Sequence, residues 1–134
     1  MQVRRTFLVC TALVCAGIDL LHKANASAEF HHARTPYVTL LMGALIAALI
    51  VLVPRLPSNA AALGAGVACG GALGNLVSLL AWKQGVPDPF VVVGATHGLA
   101  FNLADLFAVG GDAILLSAVV LQGLQRRTAL HERI

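Results

Sequence analysis

Charged residues are what this sequence has least of. They make up 11% of its 134 residues, against 58% apolar, and the mean hydropathy is +0.84. Soluble domains carry about 25% charged residues, so the composition excludes an ordinary water-soluble fold. Aromatic residues are also few, at 5%, and they do not alternate with basic ones. The net charge of +3 is therefore not a nucleic-acid footprint, and no nucleic-acid partner is expected. Cysteine occurs three times, as Cys10, Cys15 and Cys69, always inside apolar blocks and never in CxxC spacing. These read as small packing residues, and no metal or cofactor is expected. There is no internal repeat and no low-complexity tail.

What is present falls into blocks. Apolar stretches cover roughly 6–22, 37–53, 60–82 and 101–124. A helix needs about 20 residues, with about 17 as the lower limit, to cross the hydrocarbon core. The pattern predicts an all-α integral membrane protein: four transmembrane helices forming one membrane domain over 1–134. The first block, led by Arg4 and Arg5 and followed by ANASA, also has the outline of a cleaved signal peptide. Apolar character continues past Asp19 through residue 21, however, and favours a helix that stays.

Basic residues set an orientation. Arg4, Arg5, Arg55, Arg126, Arg127 and Arg133 fall on one side of a four-helix layout, and Lys23, Arg34 and Lys83 on the other. This places both termini in the cytoplasm and the loops 23–36 and 83–100 outside. The connection PRLPSN (54–59) is short and Pro-rich, and it makes helices two and three an antiparallel pair. In the second outer loop KQGVPDPF is turn chemistry, and FVVVGA (90–95) is too short to cross a membrane and suits a surface strand. In helix three, Gly66, Gly70 and Gly74 recur every four residues, a stripe that lets another helix backbone come close.

The carboxylates are so few that each can be weighed. There are four Asp and two Glu. Glu29 and Glu132 lie in polar segments. Asp19 and Lys23 are spaced i,i+4 at the outer end of helix one and can pair on one face, which at its simplest steadies an interfacial helix end. Asp105 falls about 6 Å inside block four, with Asn102 one turn above it. An ionisable residue at that depth marks a functional site by default. Asn75, at the end of the glycine stripe, needs a hydrogen-bond partner. Asp112 lies about 10 Å deeper than Asp105, too far to share a proton with it. That leaves Asp88, in its Pro-Asp-Pro turn, as the carboxylate able to meet Asp105 at the outer interface. Two such carboxylates sharing one proton can activate water against a carbonyl. Asp88 as a plain turn residue stays open. His31 and His32 are adjacent, and neighbours on a chain seldom ligate one metal; nothing holds His22 near His97, so a zinc site is disfavoured.

DLLHK (19–23), GGALGN (70–75) and FNLAD (101–105) together resemble, in order, the motifs of the lipoprotein signal peptidases, or signal peptidase II. The resemblance covers most of the chain. It implies an intramembrane aspartic endopeptidase of the bacterial inner (cytoplasmic) membrane. Such an enzyme removes the signal peptide from diacylglyceryl-modified prolipoproteins, using neither metal nor cofactor. Asp105 and Asp88 would be the catalytic pair, with Asn102, Asn75, Asp19 and Lys23 organising the site. Partners would be the lipidated prolipoprotein and membrane lipids; the oligomeric state stays open. The chain departs from the family pattern in four places, one of them Asp88, held between Pro87 and Pro89 instead of in the family's Val-Val-Asp-Phe context. Ser78 and Leu79 stand where the family has an Asp-Arg pair, no Asn-x-Gly precedes helix two, and the first outer loop is short. An alternative is thus a relative that binds lipidated peptides or a membrane partner without cutting. A further reading is a transport subunit with a proton path through Asp105 and Asp112.

Overall fold

The computed structural model describes residues 1–93 and 98–131. His97, Glu132 and Arg133 lie outside the described residues. The elements run α1 (Gln2–Asn25), β1 (Phe30–His32), α2 (Pro36–Leu52), a 3-10 turn (Val53–Arg55), α3 (Asn59–Ala81), β2 (Val86–Asp88), β3 (Phe90–Val93), β4 (Gly98–Phe101) and α4 (Leu103–His131). Among the described residues, four helical stretches are long and apolar enough to cross a membrane: Gln2–Asn25, Pro36–Arg55, Asn59–Ala81 and Leu103–Thr128. Short strands accompany them, as the second outer loop suggests.

Local chemistry explains the helix starts. Thr35 accepts from the Val38 N–H, and Pro36 opens α2, where its missing N–H costs nothing. Ser58 accepts from the Ala61 N–H at 3.1 Å and opens α3. One boundary differs from the sequence expectation. Phe101 belongs to β4, so α4 starts at Leu103 and Asp105 lies in its first turn, shallower than expected. α3 runs Asn59–Ala81, close to the expected 60–82, with Asn75 inside it where the glycine stripe ends.

α3 is the centre of the bundle. The stripe of Gly66, Gly70 and Gly74 faces α1. A Cβ on Gly66 would meet Leu8 O at 2.8 Å, one on Gly70 would meet Cys15 Cβ at 2.5 Å, and one on Gly74 would meet Asp19 Oδ2 at 2.5 Å. A second smooth face turns to α4. There Gly64 lies against Gly111 and Leu115, and Gly71 lies against the backbones of Ala104 and Ala108. Helices approach this closely only where side chains are absent. Leu8, Ala12, Val53, Ala61, Ala65 and Cys69 form the buried apolar cluster below.

Outside the membrane-crossing helices, β1 pairs antiparallel with β2, with Phe30 opposite Asp88 and His32 opposite Val86. β3 and β4 form a hairpin whose base pairs Phe90 with Phe101. Phe90 stacks on His22 of α1 with ring centroids 5.0 Å apart, tying the hairpin to the helix end. Gly85, at φ 105°, takes the turn into β2 with a backbone conformation that other residues resist.

Candidate active site

The motifs DLLHK, GGALGN and FNLAD meet at one end of the bundle, where α1 ends and α4 begins. FNLAD forms a reciprocal cap on α4. The Asp105 N–H donates to Asn102 Oδ1 at 3.2 Å, and the Asn102 N–H donates to Asp105 Oδ2 at 3.1 Å. This is the capping-box arrangement, which satisfies free N–H groups at a helix start and puts negative charge at the positive end of the helix dipole. Local helix chemistry alone would explain an Asn and an Asp at these positions. Two contacts go beyond it. The Asn75 amide donates to Asp105 Oδ1 at 3.0 Å, and the Arg34 guanidinium comes within 3.9 Å of the same oxygen.

Asp88 arrives from β2. The residue is 2% exposed, and its carboxylate accepts from the Asn102 side-chain amide at 2.7 Å on Oδ1. The same amide donates to Pro87 O at 3.3 Å. One asparagine therefore contacts both carboxylates, through its backbone N–H on one and its side chain on the other. The second Asp88 oxygen, Oδ2, meets His32 Nδ1. His32 is opposite Val86, so Asp88 is its diagonal neighbour on the same face of the β1–β2 pair.

Asp19 and Lys23 differ from the interfacial pair anticipated for them. Both side chains are fully buried, with Lys23 Nζ 2.7 Å from Asp19 Oδ2. Lys23 also donates to Asn75 Oδ1 at 2.8 Å and to Ser78 Oγ at 3.2 Å, which uses all three ammonium hydrogens. With Asn75 Oδ1 held by Lys23, the NH2 of Asn75 must face Asp105. Asp19 Oδ1 accepts from the Ala104 N–H at 2.9 Å and so ties α1 to the first turn of α4. The reason is packing: Gly74 has no side chain to keep the Asp19 carboxylate out of the helix interface.

Asp105 is the more open of the two carboxylates. With Leu99, Ala100, Phe101, Leu106 and Val109 it lines a pocket of about 350 Å³, otherwise wholly apolar. Asp112 is exposed and lines a different groove of about 190 Å³ with residues of α2 and α3. No hydrogen bond joins it to Asp105 among the described residues. His22 lies against Phe90, away from any other histidine contact given by the described residues.

A model of the family Signal peptidase (SPase) II matches residues 3–121. This chain belongs to the signal peptidase II family. It is also 32% identical over 114 residues to a lipoprotein signal peptidase of Streptomyces coelicolor, an alignment covering 84% of this chain and 55% of the relative. The chain thus spans about half the length of the curated relative it matches. The family is one of signal peptidases, and the four long apolar helices of this chain suit a protein of the membrane.

Within that family frame, Ser78 stands in place of the acid of the Asp-Arg pair and serves as the third partner of Lys23. Sequence reasoning passed over Arg34 as a loop charge and His32 as half of a weak histidine pair. Alternation along β1 was the available signal, since it puts His32 on one face with Phe30. What that face meets depends on a strand 56 residues further on.

Proposed function

We propose that this chain is an intramembrane aspartic endopeptidase that removes the signal peptide from diacylglyceryl-modified prolipoproteins. The observation that carries this reading is the shared hold of Asn102 on Asp88 and Asp105 at the mouth of an apolar pocket. Asp105, open to the pocket, takes a proton from water as the water oxygen bonds to the scissile carbonyl carbon. The carbonyl electron pair moves to its oxygen, which takes the proton carried by Asp88. The resulting diol collapses as Asp105 gives its proton to the amide nitrogen, the C–N bond breaks, and a diol proton returns to Asp88. Each carboxylate ends as it began. Lys23 and Asn75 hold Asp105 in place, and the pocket suits an apolar side chain or acyl segment of the substrate. The distribution of arginines supports a multi-pass protein of the bacterial cytoplasmic membrane with the site facing outward.

The test is cleavage of a diacylglyceryl-modified prolipoprotein by the purified protein in detergent. Wild type should cut, and Asp88→Asn and Asp105→Asn should each lose at least about 10²–10⁴-fold, the usual contribution of a positioned acid or base. Cleavage that survives either change overturns the pair. A second reading is favoured by Ser78 and Leu79 at the Asp-Arg position: a family member that binds the lipidated peptide without cutting it. Under that reading wild type is inert yet retains the substrate on a column, and both Asn variants retain it equally.

A further inference from the structure

We propose that His32 is a positioning residue that shares the Asp88 proton and sets the alkaline limit of cleavage. This rests on the aspartic-peptidase reading. The argument starts from oxygen valences. Asp88 Oδ1 is taken by the Asn102 amide, which can only donate there. The proton that Asp88 must carry is therefore left to Oδ2, and Oδ2 is the atom that His32 Nδ1 contacts. A ring nitrogen at this place can accept that proton from the carboxyl or donate it back, so one proton belongs to the pair. Asp88 is almost fully buried, whereas the His32 side chain is 39% exposed. The imidazole is thus the route by which a buried acid exchanges its proton with water.

Other charges bear on the pair. Asp105 on α4 is held beside Asp88 by Asn102, and Arg34 from the segment after β1 lies 3.9 Å from Asp105. On α1 the buried Lys23, paired with Asp19, lies within electrostatic reach of Asp88 and Asp105, and Asp19 is the charge that faces Lys23 itself. His31 precedes His32 on the strand, opposite Pro87. None of these offers Asp88 Oδ2 a second hydrogen-bond partner among the described residues. An imidazole is in general a stronger base than a carboxylate, and here it is the neighbour of Asp88 Oδ2 that can both take and return a proton.

The experiment is the pH profile of kcat/KM for the full chain in detergent, wild type against His32→Gln and His32→Asn. Both variants should fold and cut near the acid side of the profile within a few-fold of wild type. Their alkaline limb should move to lower pH by about one unit or more, a tenfold or greater loss at a fixed alkaline pH. A profile scaled evenly at every pH, or one that does not change, overturns the proposal and leaves His32 a packing residue. A second readout does not need turnover: the 15N ring signals of His32 in wild type and Asp88→Leu. Wild type at alkaline pH should carry the ring proton on Nδ1, facing the carboxylate, and Asp88→Leu should move it to Nε2. Identical tautomers overturn the proposal. A shift of tautomer in a protein that does not cut would leave the His32–Asp88 pair standing and remove the peptidase reading.

Discussion

α3 and α2 are both apolar, both cross the hydrophobic layer, and are joined by a short turn, yet they do opposite work. α3 buries Gly64, Gly66, Gly70, Gly71 and Gly74 together with Asn75 and Ser78. α2 buries no residue at all; it rests on the bundle through the half-buried Ile46, Leu49 and Ile50 and turns Leu40, 72% exposed, outward. The difference teaches where geometry is fixed. The polar chain from Asp19 through Lys23, Asn75, Asp105 and Asn102 to Asp88 runs over α1, α3, α4 and β2 and never touches α2. Small residues allow the close approach, and the close approach lets short polar side chains reach across helices.

The comparison can be broken most severely at Lys23. Lys23→Met leaves Asp19 buried without its counter-charge and should cost about 3–5 kcal/mol. Asp19→Leu with Lys23→Met together should recover most of that stability while activity stays lost, as read by denaturant unfolding in micelles beside the cleavage assay. Next in size is Gly71→Ala, whose added Cβ meets the Ala108 N at 2.8 Å, a backbone atom unable to move aside. About 1–3 kcal/mol of destabilisation is expected from that overpacking. Thr35→Ala, which removes the cap of α2, should cost about 1 kcal/mol and leave the cleavage rate unchanged. Smallest is Leu40→Ala on the open face, within about 0.5 kcal/mol of wild type. If Leu40→Ala proves as damaging as Gly71→Ala in the same unfolding measurement, something covers α2, and the contrast between the two helices dissolves.

The helices were legible because length and hydropathy are enough to define a membrane span. The cap at Asn102 and Asp105 was not read, although its donors and acceptors lie three residues apart, because block four was taken to begin at residue 101 and so put Asp105 inside the helix. One face of α3 could be read from the even spacing of Gly66, Gly70 and Gly74. The other could not, because Gly64, Ala68 and Gly71 alternate intervals of four and three and include an alanine. The depth of Asp19 was misjudged because position in the sequence gives distance along a helix and says nothing of what packs over it. His32 was beyond reach for a similar reason. Its role depends on β1 finding β2, a pairing that neither strand announces.

Asn102 has one more consequence, which concerns the order of synthesis. The chain is made from its N-terminal end, and α4 comes last of the four helices. Asp19 already holds Lys23, but its other oxygen waits for the Ala104 N–H, Asn75 waits for Asp105, and Asp88 waits for the Asn102 amide. A nascent chain with three helices in the bilayer has the glycine faces and the ion pair and no working centre. Arrival of a single helical turn completes every link at once. On the peptidase reading, the catalytic pair is therefore assembled only when α4 joins the bundle, as the last step of insertion.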